Sequence, residues 1–216
     1  MDNLTARRQM VDQQIRTWEV LDPRVLEVLA EVPREAFVPP EYRELASADA
    51  PIPIGLGQSM LAPKIQGRIL QALSVIASDS VLEVGSGSGY LAACLSLLAS
   101  KTRSIDIHPQ FTAAATANLR TVPNARVEFE TRDAFSTAPL GEYDAIAVTG
   151  SLPVYDARFE RSLRLGGRLF AVVGEAPVMD AILVRRVDNA EWIRESLFET
   201  VIEPLINATA AQKFVF

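Results

Sequence analysis

Apolar residues recur along this chain at two different spacings, and the place where the spacing changes divides it in two. From residue 4 to 18 the period is helical, with Met10, Val11, Ile15 and Trp18 sharing a face. Asp22 and Pro23 then supply a side-chain acceptor and a preset φ for the first turn of a second helix. Its apolar face runs through Val25, Leu26, Val28 and Leu29, and it ends before Pro33. Pro39, Pro40, Pro51 and Pro53 predict a largely extended or turning path from Val38 to Pro53. A glycine-containing loop, Gly55 to Pro63, leads into a further helix from about Lys64 to Ala77.

Beyond Ser80 the helical period alternates with short β-branched runs. Strands are expected at Val81–Val84, Ser104–Ile107, Arg126–Phe129, Ala145–Val148 and Leu169–Val173, separated mostly by helices near 90–99, 110–119 and 155–163. Alternation of this kind gives an α/β fold: a doubly wound, mostly parallel Rossmann-like sheet with right-handed crossovers and helices on both faces. At the end, Ala181–Val187 and Trp192–Val201 flank Asp188-Asn189-Ala190 and read as an antiparallel hairpin. The expected organisation is one domain over 1–216, with helices and a loop in 1–78 set against an α/β core in 79–216.

Composition narrows the function. The net charge of -6 argues against a general nucleic-acid binder, which would carry a basic excess. Cys94 is the only cysteine, so no intrachain disulfide forms. No apolar run approaches the roughly 18 residues that a membrane span needs. The first helix is polar and charged, unlike a secretory leader. A cytoplasmic protein with no nucleic-acid or membrane partner and no metal is expected.

The candidate chemistry lies in Val81-Leu82-Glu83-Val84-Gly85-Ser86-Gly87-Ser88-Gly89-Tyr90, a buried strand running through three alternate glycines into a helix. Such glycines allow a sharp turn and close approach of a ligand to the backbone. The spacing is G-x-G-x-G, and Glu83 lies just inside the strand. A carboxylate there repels a pyrophosphate and attracts an ammonium group, such as the amino-acid end of S-adenosylmethionine carries. Asp106 ends the next strand, where a carboxylate can accept from both ribose hydroxyls. Asp133 follows the third and can accept from an adenine amino group. With the neighbouring Ser86, Ile107 and Ala134, these residues form a nucleoside-cofactor site at one sheet edge. The preferred cofactor is S-adenosyl-L-methionine, and a nicotinamide cofactor is the alternative. His108, the only histidine, reads as a cofactor-edge or surface residue, Cys94 as helix packing, and Tyr90 as packing or as a shield for the methionine end.

Longer phrases carry a resemblance. Met10-Val11-Asp12-Gln13-Gln14-Ile15-Arg16, Asp22-Pro23-Arg24-Val25-Leu26, Val32-Pro33-Arg34, Phe37-Val38-Pro39, Pro53-Ile54-Gly55, Val148-Thr149-Gly150, Gly166-Gly167-Arg168 and Glu195-Ser196-Leu197-Phe198 stand in order through the chain. With the glycine turn they resemble the protein-L-isoaspartate O-methyltransferase family. The resemblance implies methyl transfer from S-adenosylmethionine to a carboxylate of a protein or peptide. It also implies a substrate site at Gln58, Ser59, the Leu61 position, Thr149 and Gly150.

The chain departs from the family in the loop Gly55-Leu56-Gly57-Gln58-Ser59-Met60-Leu61-Ala62-Pro63, where Leu56 replaces a histidine and Leu61 a serine. The same fold with another acceptor, including a small molecule, is therefore an alternative, as is cofactor binding without transfer. A carboxylate acceptor is already ionised at neutral pH, so the reaction needs no general base and none is assigned.

Overall fold

The computed structural model describes residues 2–210; the expected domain extends at both ends onto residues outside that range. Helix α1, Asn3–Met10, is capped by Asp2, whose carboxylate accepts from the Thr5 N–H at 2.7 Å. A π turn over Val11–Ile15 and a 3₁₀ turn over Arg16–Trp18 continue it. The π turn resets the period: Met10, Val11 and Ile15 are buried, while Trp18 stays 37% exposed and leaves the face predicted for it. Asp22 caps α2, Pro23–Glu31, as its sequence demands. Between Val38 and Pro53, where an extended or turning path was expected, the chain winds into a 3₁₀ turn at Pro40–Leu45, and another precedes it at Arg34–Phe37. Proline's φ suits a 3₁₀ turn as well as an extended chain.

The expected glycine loop is a hairpin, β1 (Ile52–Gly55) with β2 (Gln58–Met60), turning on Leu56 and Gly57, both at positive φ. Helix α3, Pro63–Leu73, ends four residues before the boundary expected, where Ser74 takes a left-handed conformation. Then follow β3 (Ser80–Val84), α4 (Tyr90–Leu98), β4 (Lys101–Asp106), α5 (Pro109–Leu119), β5 (Val127–Thr131), β6 (Tyr143–Leu152), α6 (Ala157–Arg161), β7 (Leu163–Glu175), β8 (Val178–Asp188) and β9 (Glu191–Glu199).

The large sheet has the order β5-β4-β3-β6-β7-β8-β9, parallel from β5 to β7 and antiparallel from there on. From β3 the chain first adds β4 and β5 on one side, then returns to place β6 on the other. That reversal opens a crevice beyond the carboxyl end of β3, where open α/β sheets bind ligands. The N-terminal helices close one face of the sheet: Ile15, Leu29, Ile69 and Leu70 share an apolar cluster with Phe170 and Val172 of β7. Arg168 of β7 ties down the end of α3, donating to Leu73 O at 2.7 Å and Ser74 O at 2.9 Å while pairing with Asp79 at 2.6 Å. No helix among the described residues is long and apolar enough to cross a membrane.

Candidate functional site

The carboxyl ends of β3, β4 and β6 meet beneath the β1–β2 hairpin. The space there forms two adjoining recesses that share Ile54, Ser59, Gly85, Gly87 and Thr149 as walls. Asp106, Ile107, His108, Asp133 and Ala134 line the first; Glu83, Ser86, Tyr90, Met60 and Leu61 line the second.

Glu83 is fully buried on the central strand, and its carboxylate accepts from the Ser104 hydroxyl on β4. Ser104 in turn lies 2.7 Å from the Ser86 hydroxyl. Burial pushes the Glu83 carboxyl up to about 8; the Ser104 hydrogen bond opposes this and the negative Asp106 adds to it. Asp106 is fixed by backbone donors: Gly87 N–H reaches Oδ2 at 3.0 Å and His108 N–H reaches Oδ1 at 2.9 Å. One carboxylate therefore shapes the glycine turn and the start of α5 together, and each oxygen keeps a lone pair for a ligand hydroxyl.

Asp133 is held similarly, by the Phe135 N–H at 2.8 Å and the Asn207 side-chain amide at 2.9 Å. Any adenine amino group there must share the carboxylate with these two donors. His108 lines the first recess with its Nε2 buried and without a partner. The Tyr90 hydroxyl is likewise unpartnered beside the second, its ring packed edge-on to Phe37 at 5.5 Å. Burial pushes the Cys94 thiol up to about 12, so it packs within α4 and offers no thiolate nucleophile.

The hairpin that roofs the site is held by a buried cation. Arg34, fully enclosed, donates to Ala46 O and Leu61 O, both at 2.8 Å, and to the Gln66 side chain, with its guanidinium 5.0 Å from the Tyr90 ring centre. Gln58 and Ser59 thereby face the first recess. Leu56 does not: it is 54% exposed at the hairpin tip and touches neither recess, so its replacement of a histidine leaves both walls unchanged. Leu61 does line the second recess.

Three expected site residues have different structural duties. The Thr149 hydroxyl lines both recesses but spends its proton on Val84 O at 3.0 Å and Gly85 O at 2.8 Å, leaving none to donate to a substrate. Gly150 lines the first recess and also admits the segment Pro204–Ile206; a Cβ there would sit 2.7 Å from Leu205. Gly89 lines neither recess. It starts α4 at φ +85°, and a Cβ would press to 2.7 Å from Ala115 of α5. Residues the sequence did not suggest include Phe111, Arg132, Phe135 and Leu205 in the first recess and Gln66 in the second. The Arg34 phrase was visible, but its role needs Ala46, Leu61 and Gln66 brought together from distant positions.

Comparison with known proteins finds relatives along almost the whole chain. The family model for protein-L-isoaspartate(D-aspartate) O-methyltransferase matches residues 5–210. The chain is 36% identical over 206 residues to a protein-L-isoaspartate O-methyltransferase from Rhodopseudomonas palustris, covering 94% of each chain. It is 39% identical over 201 residues to one from Methanoregula boonei, covering 93% of this chain and 92% of that one. Its fold matches a Plasmodium falciparum β-aspartate methyltransferase, solved in complex with S-adenosyl-L-homocysteine, with a TM-score of 0.80. That alignment has 17% identity and covers 95% of this chain and 99% of the other.

Proposed function

Because this chain belongs to the protein-L-isoaspartate(D-aspartate) O-methyltransferase family, we propose that its two recesses hold S-adenosylmethionine and that Gln58 and Ser59 present an isoaspartyl carboxylate of a protein or peptide to the methyl group. One observation carries the reading: Glu83 and Asp106 stand at the carboxyl ends of adjacent strands, facing adjoining recesses beneath the loop that holds Ser59.

The residues suit the cofactor. Glu83 is a buried acid with room beside it for an ammonium group, which would favour its ionised form. Asp106 has acceptor capacity for ribose hydroxyls, and the orphaned His108 Nε2 lies in the same recess. Phe111 and Phe135 supply apolar surface for a base. When bound, the sulfonium supplies an electrophilic methyl: a carboxylate oxygen bonds to it as the carbon–sulfur bond breaks, the electron pair stays on sulfur, and a methyl ester and a thioether result.

This chain's part is alignment and exclusion of water. An isoaspartyl carboxylate is ionised near neutral pH, so no side chain has to remove a proton. Ser59 has a hydroxyl free of protein partners among the described residues and positioned at both recesses, so it can hold one carboxylate oxygen. Arg34 keeps the loop rigid from behind, where the orientation term is worth several kcal/mol, up to about 7 or more in favourable cases.

The test is incubation with methyl-labelled S-adenosylmethionine and a matched pair of peptides, one isoaspartyl and one with a normal aspartyl linkage. Base-labile label confined to the isoaspartyl peptide supports the reading. Label on neither peptide, with S-adenosylhomocysteine binding intact, refutes the proposed acceptor while leaving the cofactor assignment in place.

A further inference from the structure

On the far side of Leu61 lies a larger cleft of ≈ 560 Å³, walled by Trp18, Pro51, Ile65, Met179 and Ile202. It borders both recesses of the site: Leu61 lines it and the second recess, and Pro204 lines it and the first. A substrate carboxylate at Ser59 therefore lies about one side chain away. The cleft is built from five separate parts of the chain: Trp18 at the end of the first helical run, Asp49 and Pro51 ahead of β1, the loop after β2 with the start of α3, Ala176 and Met179 around the β7–β8 turn, and the segment from Glu199 at the end of β9 to Pro204.

Its charges are unbalanced. Lys64 is already committed, 2.8 Å from Asp49 and 4.4 Å over the Trp18 ring. Glu199, which is exposed, and Glu203, which is half-buried, also line the cleft and have no ion-pair partner among the described residues. Long basic side chains match such a surface, because their alkyl stems lie along apolar walls while their charged ends reach a carboxylate. An acidic side chain entering the same space would be repelled.

We propose that this cleft is a subsite for the residue flanking the isoaspartyl unit and that it selects a lysine or arginine there. The proposal rests on the isoaspartyl reading of the neighbouring site. Its chemistry is complementary: the reacting unit is anionic, and a basic neighbour gives the bound peptide a dipole that matches Ser59 at one end and Glu199 and Glu203 at the other.

Isoaspartyl peptides identical except for Lys, Ala or Glu at the flanking positions test it, with wild type compared with a Glu199→Gln, Glu203→Gln double variant. The expected result is a kcat/KM for the Lys peptide about tenfold above that for the Glu peptide at low salt, expressed mainly in KM. Added salt should compress the ratio, and the double variant should bring it near unity. A ratio near unity in wild type, or one that persists in the variant, overturns the subsite and leaves methyl transfer standing. An Ala peptide that outpaces the Lys peptide gives the cleft to an apolar residue and also overturns it. Specific activity that falls as enzyme concentration rises places a second copy there, with the same consequence. If none of the three peptides is methylated although S-adenosylhomocysteine binds, the acceptor assignment fails and the subsite falls with it.

Discussion

Glu83 and Ser104 stand directly opposite each other in the parallel pairing of β3 and β4, and the Ser104 hydroxyl donates to the buried Glu83 carboxylate. That one hydrogen bond does not offset burial, and Glu83 titrates near 8 in the free protein. An ammonium group favours the ionised carboxylate, so binding below pH 8 releases a proton. Affinity for S-adenosylhomocysteine should rise by up to about tenfold per pH unit from 6 toward 8. It should then level off, and decline only at higher pH, as the ligand's own amino group loses its proton. Calorimetry in buffers of different ionisation enthalpy measures the released proton directly. Glu83→Gln should abolish the rise, and a flat profile in wild type would show that Glu83 does not meet the ammonium.

The same shift has a stability consequence. The folded-state pKa of Glu83 lies above its unfolded value, so stability is fully present below the unfolded pKa of 4.5 and is lost progressively up to about 8. Ligand-free Glu83→Gln should therefore melt higher than wild type at pH 8, and the difference should vanish toward pH 4. Thermal unfolding across that range is the check, and a Gln variant that melts lower at pH 8 would mean that the ionised carboxylate is stabilising.

Arg34 should matter more to stability than any surface cation. Its guanidinium satisfies two buried carbonyls and the Gln66 amide at once. Arg34→Met leaves those acceptors unpaired, at about 1–3 kcal/mol each when buried, partly offset by no longer enclosing a charge. A net loss of about 3 kcal/mol in urea denaturation is expected, together with a raised KM for peptide as the 58–63 loop loosens. Loss below about 1 kcal/mol would show that water or rearrangement replaces the guanidinium.

Gly150 is where Leu205 crosses the end of β6. A methyl there would lie 2.7 and 2.9 Å from Leu205 side-chain carbons and 3.1 Å from its backbone nitrogen, which donates to Ser151 O at 2.9 Å. Gly150→Ala should push the 204–206 segment off the first recess, costing about 1–3 kcal/mol as overpacking does. S-adenosylhomocysteine affinity should fall about tenfold. Hydrogen exchange at the Leu205 amide should accelerate selectively, and unchanged protection there would mean that the clash is absorbed elsewhere.

The α/β core, and the gathering of the glycine turn with the strand-end acids at one sheet edge, were legible because their signals are local. A buried strand, alternate glycines and strand-end acids such as Glu83 and Asp106 fall within short stretches of sequence, and the carboxyl ends of parallel strands gather them. What the sequence concealed is long-range. The distance from Arg34 to Leu61, or from Gly150 to Leu205, has no periodicity, and a hydroxyl such as that of Thr149 gives no hint that backbone carbonyls consume its proton. The two leucine departures looked equivalent in sequence. The hairpin separates them, turning Leu56 outward and Leu61 inward.

That inward turn makes Leu61 the residue on which substrate turnover should depend most visibly. Its side chain is 8% exposed and presents an isobutyl group to the second recess, at the position where the loop's resemblance to the family implies a serine. An isoaspartyl carboxylate brought beside it gains no hydrogen bond from that side. One missing donor to a desolvated carboxylate is worth about 1–3 kcal/mol, or roughly five- to 150-fold in rate if felt at the transition state. Leu61→Ser should therefore raise kcat/KM on an isoaspartyl peptide, although the lost packing lowers stability by about 2–5 kcal/mol. Leu61→Ala opens the same space without a hydroxyl and separates the two effects. The expected order at a temperature where all three proteins are folded is Ser above Ala, with wild type below Ser. Equal values for Ser and Ala would attribute any gain to space alone. Wild type exceeding both would show that Ser59 already satisfies the carboxylate and that Leu61 serves as an apolar wall excluding water from the reacting atoms.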